Sequence, residues 1–267
     1  MTRSVYIEAG SETRRVETTD FPLTLGGADA DIPLPGLVSA EPVALIGAAD
    51  DGLFVIEVGY LLDVYENAWF DTIYHEHLDF HSLAPLVTFF SKLGMQVVDV
   101  QRVSPQGGSI RVITQRAGGS RQVRKSVSEL VALEKRVGLD RAETFVAFDE
   151  RIKLVKRQLR ELVNGLKSQG KSIAGYGAPT KATTLLTHFE LGNVLEFLVD
   201  DNPLKQGLLS PGHHIPVVSA QEMYDRRPDF VLILAWNFAE NIMQQHQRYR
   251  DQGGSFILPM PEPRIVG

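Results

Sequence analysis

The chain has 267 residues, 43% of them hydrophobic and 22% charged, with 23 Gly and 14 Pro; this is enough apolar material for a core and excludes disordered and fibrous classes. Lys and Arg number 27 against 33 Asp and Glu, and the net charge of -6 leaves no global field to draw the chain to nucleic acid or anionic lipid. Cys is absent, which excludes disulfides, thiolate metal sites and a cysteine nucleophile.

The length suits one large or two ordinary domains. The first twenty positions alternate charged and apolar residues and offer no apolar core for a signal peptide. The longest apolar run, Phe230 to Trp236, has seven residues, against the roughly 20 that a spanning helix needs. These features predict a cytoplasmic protein with neither a membrane nor a nucleic-acid partner.

Residues 1–50 alternate like half-buried strands, as in Val5-Tyr6-Ile7 and Phe21 to Leu25, with turn signals at Gly26-Gly27 and Pro33 to Gly36. The apolar run Leu53 to Val58 predicts a strand buried on both faces. Ser82 is placed to cap a helix whose Leu83, Leu86, Phe90 and Leu93 step by three and four, with Gly94 as its stop. Gln96 to Val100 and Ser109 to Thr114 read as strands around Gly107-Gly108. A long amphipathic helix follows Asp140, with Phe145, Phe148, Ile152, Val155, Leu159, Leu162 and Leu166 on one face. A second α/β unit then opens at Ile173, with further strands at Glu196 to Val199, Phe230 to Ala235 and Ser255 to Leu258. Ser219 with Glu222, and Asn237 with Glu240, read as capping boxes. Strands alternating with helices predict a mostly parallel sheet. The expected segments are thus 1–50, 51–139 and 140–267.

Three of the seven His fall in Tyr74-His75-Glu76-His77-Leu78-Asp79-Phe80-His81. A Tyr, a Glu and several imidazoles supply the groups that move protons near neutral pH. A metal site at His77 and His81 is disfavoured, because Leu78 stands where the assisting Glu of an H-E-x-x-H helix would be. Gly175-Tyr176-Gly177-Ala178-Pro179-Thr180-Lys181, between a strand and a helix, can cradle a phosphate on backbone N–H groups with Lys181 as a cation. It reads equally as a tight βα turn. Asp200 and Asp201 stand about where a ribose partner would, although Thr180 replaces the third glycine of a dinucleotide fingerprint. Gly107-Gly108 before Arg111 is, as a bare pattern, a turn.

Together, Phe70 to His77, Gly107-Gly108-Ser109-Ile110-Arg111, Gly175 to Lys181 and Asp200-Asp201-Asn202-Pro203-Leu204-Lys205-Gln206-Gly207 resemble the sugar-nucleotide C-methyltransferases, from about Gly52 onward. The resemblance implies methylation of a carbon in a thymidine-diphosphate-linked ketosugar, with S-adenosylmethionine as methyl donor. It implies Tyr74, Glu76 and His77 as the catalytic group: His77 the base, Tyr74 the proton donor or enolate stabiliser, and Glu76 orienting or tuning one of them. It further implies a substrate site drawing on Gly107, Gly108, Arg111, Gly175, Tyr176, Gly177, Ala178, Lys181, Asp201 and Asn202.

The expected fold is therefore α/β: an incomplete methyltransferase-like sheet, a C-terminal Rossmann-like parallel sheet and an N-terminal all-β segment. Residues 1–50 do not show the cysteine-rich module or glycine-rich cofactor loop of the family. Phe21 to Gly27, Ala30 to Pro35 and Val38 to Ala44 resemble instead the start of a forkhead-associated domain, with Gly27 where that pattern has an arginine. The direct junction at Asp50-Asp51-Gly52 suggests a recombined chain, in which methyl transfer is impaired and which could serve as a binding protein. A sheet without its first strands exposes an edge, so the β segment or a second copy of the chain is expected to cover it.

Overall fold

The computed structural model describes residues 4–9, 12–17, 23–26, 32–33, 42–46, 52–75, 77 and 79–267. By its internal contacts the chain divides into two units, Met1–Asp63 with Asp79–Arg141, and Val64–Leu78 with Ala142–Gly267. Fold class follows the expectation: mixed α/β, with a largely parallel sheet toward the C-terminus.

In the first unit, β1 (Ser4–Ala9) and β2 (Glu12–Glu17) form an antiparallel pair. The strand β3 (Leu23–Gly26) pairs parallel with the two-residue β4 (Ile32–Pro33) and antiparallel with β5 (Pro42–Ile46). Most residues carrying the forkhead-associated resemblance, including Phe21, Gly27 and Val38 to Glu41, lie outside the described residues.

Next come β6 (Leu53–Gly59), α1 (Leu61–Asn67), α2 (Leu83–Lys92), β7 (Met95–Val103), β8 (Ser109–Arg116) and α3 (Lys125–Val137). The strands β6, β8 and β7 form a three-stranded sheet in that order, antiparallel throughout. Leu53 to Val58 are half-buried rather than buried on both faces, because β6 lies at the end of this ladder.

The helix α2 buries Leu83, Leu86 and Phe90 as its spacing predicts, while Leu93 stays outside. Ser82 occupies the N-cap position, but its hydroxyl makes no capping bond. The carboxylate of Glu134 in α3 does that work: its oxygens accept from the Leu83 N–H at 2.6 Å, the Ala84 N–H at 2.9 Å and the Tyr60 hydroxyl at 2.9 Å. The core-facing residues of α3 are Val127, Leu130 and Glu134. The carboxylate thus sits among the apolar residues of the helix's inner face.

In the second unit, α4 (Ala142–Ser168) buries Ile152, Val155, Leu159, Val163 and Leu166. There follow β9 (Ile173–Tyr176), α5 (Thr180–Phe189), β10 (Leu198–Val199), β11 (Val217–Val218), α6 (Ala220–Arg226), β12 (Phe230–Ile233), α7 (Ala239–Gln245), α8 (Gln247–Asp251), β13 (Ser255–Leu258) and β14 (Arg264–Val266). The sheet order is β11-β10-β9-β12-β13-β14, parallel except for the antiparallel edge strand β14. Numbered within the sheet, this is the 3-2-1-4-5-6 order of doubly wound nucleotide-binding folds.

Alternating side chains divide the core into two layers. Ile173, Leu232 and Ile257 face Leu159 of α4 and Leu185 of α5, whereas Ala174, Val231, Ile233 and Phe256 face Met223, Ile242 and Tyr249. The capping box read at Asn237 is corrected: Trp236–Phe238 is a 3₁₀ turn, α7 begins at Ala239, and the Asn237 side chain is engaged elsewhere.

Candidate active site

The segment 64–78 packs with the second unit, and its short 3₁₀ turn Phe70–Thr72 is held by that unit's side chains. Phe70 is buried and stacks on Phe189 of α5 with ring centres 4.7 Å apart. Trp69 stacks on Trp236, just beyond β12, at 4.8 Å. The Trp236 indole N–H donates to Asp71 Oδ2 at 2.6 Å, and the Thr184 hydroxyl donates to the Ile73 carbonyl at 3.4 Å.

Tyr74 and His77 follow, both half-buried. His77 Nδ1 lies 2.9 Å from the Thr72 carbonyl and its Nε2 lies 3.2 Å from the Tyr74 hydroxyl. A carbonyl can only accept, so the neutral ring carries its proton on Nδ1 and presents the Nε2 lone pair to Tyr74. The two rings are 4.3 Å apart. Structure thus joins two of the three expected catalytic groups in a geometry suited to proton transfer. Glu76 lies outside the described residues.

Gly175 and Tyr176, which end β9, and Gly177, which follows it, all lie in the interior. A Cβ on Gly175 would stand 2.5 Å from Leu198 Cδ2, so this glycine makes room for the sheet's own packing. Gly177 has φ +93, and a Cβ there would meet the Ala235 Cβ at 2.7 Å. The Ala178 N–H donates to Asp200 Oδ2 at 2.8 Å, and Lys205 reaches the same oxygen at 3.2 Å. Lys181 bonds to Asn237 Oδ1 and sits 3.9 Å above the Trp236 ring. Burial lowers its pKa to about 8, an effect opposed by the nearby Asp71.

Asp201 is exposed and accepts from the Tyr176 hydroxyl at 2.8 Å. That hydroxyl in turn receives His246 Nε2–H at 2.7 Å, and His246 Nδ1 accepts from Tyr224 at 2.7 Å. The directions follow from Asp201, which as a carboxylate only accepts. Burial lowers the His246 pKa and raises that of the Tyr176 hydroxyl, to which the Asp201 hydrogen bond adds. Asn202 is exposed, and its side-chain oxygen accepts the Leu204 N–H at 3.0 Å.

In the first unit, Gly107 has φ +95, and a Cβ on Gly108 would stand 2.4 Å from Asp63 Oδ2. Arg111 pairs with Glu57 across β8 and β6 at 2.7 Å. These three residues belong to a different unit from Tyr74 and His77.

The sequence assigns no site role to Asp71, Trp236 or Asn237: Asp71 stands inside the Phe70 to His77 motif without a role, and Asn237 reads only as a helix cap. One signal was available: the chain has two Trp, and they stack on each other at this turn.

A doubly wound sheet with the strand order 3-2-1-4-5-6 defines a Rossmann-like domain. The family model described as "C-methyltransferase C-terminal domain" matches residues 104–261. The chain is similar to the C-methyltransferase NovU of Streptomyces niveus, with 42% identity over 219 residues, covering 82% of this chain and 52% of that protein. The chain belongs to this C-methyltransferase family. It spans about half the length of the curated relative it matches.

The junction between β9 and α5 does not form a cradle for S-adenosylmethionine. In the glycine turn of the parallel sheet, Leu198 fills the space beside Gly175, and the Ala178 N–H and Asp200 carboxylate are bonded to each other.

Proposed function

We propose that the chain performs the substrate-binding and proton-removal steps of a C-methyltransferase acting on a nucleotide-linked ketosugar. The observation that carries this reading is the Tyr74–His77 pair, with Nδ1 fixed as donor to Thr72 and Nε2 left with its lone pair. A carbon beside a ketone becomes nucleophilic only after losing a proton, which requires a positioned base and a donor for the enolate oxygen. His77 Nε2 takes the proton, the C–H electron pair becomes the enolate, and the Tyr74 hydroxyl turns from His77 to the ketone oxygen. Glu76 orients this group, and the sugar nucleotide draws on residues of the same unit: the Gly175–Lys181 segment, Asp201 and Asn202. S-adenosylmethionine is the methyl donor this reaction class calls for.

Deuterium exchange at the carbon beside the carbonyl of a thymidine-diphosphate-linked ketosugar, in heavy water, tests the base without the methyl donor. Wild type should exchange. His77→Ala should lose on the order of 100-fold or more in rate, the usual contribution of a positioned base. A bound sugar nucleotide that does not exchange would refute the catalytic assignment and leave a binding module. Product analysis with added S-adenosylmethionine, run in parallel, reports methyl transfer separately.

A further inference from the structure

We infer that Asp71 is the positioning residue of the Tyr74–His77 pair: its carboxylate fastens the 70–72 turn to Trp236, and that turn holds the Thr72 carbonyl that fixes the His77 ring. The inference rests on the proton-removal reading above and adds to it a residue that touches neither substrate nor base.

The chain of contacts is short. Asp71 has no exposed surface, and its Oδ2 accepts from the Trp236 indole at 2.6 Å. Its neighbour Thr72 donates its hydroxyl to the Trp69 carbonyl at 2.7 Å and offers its own carbonyl to His77 Nδ1 at 2.9 Å. Trp236 is itself clamped, between the Trp69 ring at 4.8 Å and the Lys181 ammonium at 3.9 Å. Lys181, on α5, is the ionisable group acting on Asp71; Trp236 and Asn237, beyond β12, contribute neutral groups. These elements follow the first and fourth strands of the sheet, where the strand order reverses and doubly wound folds hold their ligands. Here the chain's own turn, carrying the candidate base, is docked at that place.

Stability alone does not account for the carboxylate. Asp71 Oδ1 is buried with no hydrogen-bond partner among the described residues, and an unpaired buried carboxylate oxygen is costly. An amide side chain would keep an acceptor for the indole N–H without burying a charge.

The test uses the full chain, with the exchange assay on the thymidine-diphosphate-linked ketosugar and nitrogen-15 NMR of the His77 ring, assigned by its loss in His77→Ala. Asp71→Ala and Trp236→Phe should each lower kcat about 30-fold, within the range for a displaced catalytic group, and leave KM within about threefold. Both should erase the Nδ1–H tautomer signature of His77. Asp71→Asn keeps an oxygen for the indole N–H and should recover to within about tenfold of wild type. The order of activity, wild type above Asn above Ala, should oppose the order of stability near neutral pH, where Asn equals or exceeds wild type. A purely structural role would move both in the same direction.

An unchanged His77 tautomer and kcat in folded Trp236→Phe would overturn the inference, even if Asp71→Ala fails to fold. So would an Asn variant no better than Ala. Absence of exchange in wild type would refute the proton-removal reading instead, and the NMR signature would still decide whether Asp71 positions the ring.

Discussion

A carboxylate without exposed surface loses the hydration that favours its charge, and at Asp71 one indole hydrogen bond and the nearby Lys181 return only part of it. Burial raises its pKa to about 6 from the usual 3.8. The folded state therefore holds this proton more tightly than the unfolded chain. The stabilising contribution is full below about pH 3.8 and is lost as pH rises through about 6. A displacement of this size corresponds to roughly 3 kcal/mol, an upper bound. Lys181, lowered to about 8, stays protonated in both states between pH 4 and 7 and does not blur the window. Asp71→Asn removes the titration, so its advantage over wild type should be small near pH 4 and grow toward roughly 3 kcal/mol by pH 7. Urea denaturation at several pH values measures this. A constant difference across the range would contradict the assignment of a buried, titrating carboxyl.

Among the elements, α2 shows how a helix end is satisfied from a distance. Its first two free N–H groups find no partner in Ser82 and are met by Glu134, fifty residues on, which also takes the Tyr60 hydroxyl. Glu134→Ala would strand three donors at once, the buried Tyr60 hydroxyl and Leu83 N–H and the half-buried Ala84 N–H. It should cost roughly 3 kcal/mol or more, read as a fall in the urea midpoint. Ser82→Ala should cost under about 0.5 kcal/mol, because the hydroxyl makes no capping bond. The reverse order of effects would mean that the sequence pattern, with Ser82 as cap, describes the helix better than Glu134 does. The βα turn after β9 makes a related point: its glycines are required by Leu198 and Ala235, side chains brought close by the sheet.

For the molecule as a whole, the second unit's sheet, α4 and α5 form the platform on which the segment 64–78 is docked. Leu159 has no exposed surface in the layer that also contains Phe70, Leu185 and Phe189. Leu159→Ala should cost about 2–5 kcal/mol through lost burial and a residual cavity. A thermal melt of the full chain, followed by circular dichroism, should show the corresponding drop, and an unchanged melt would place Leu159 outside the cooperative core.

The sequence by itself determined the elements whose information is local. The periodicity of Ile152, Val155 and Leu159 marked α4, the apolar run at Phe230 marked β12, and the clustering of Tyr74 with His77 marked the candidate base, because helix period, strand burial and close sequence spacing act over a few residues. Only the tertiary structure decided the rest. A half-buried β6, a helix α3 with Glu134 on its inner face, the engagement of Lys181 with Trp236 and Asn237, and the burial of Asp71 all depend on partners tens to more than a hundred residues away. An isolated carboxylate or lysine in a sequence reads as solvated surface. What makes it a cap, a clamp or a positioning group is the desolvation and the specific donor that folding brings to it.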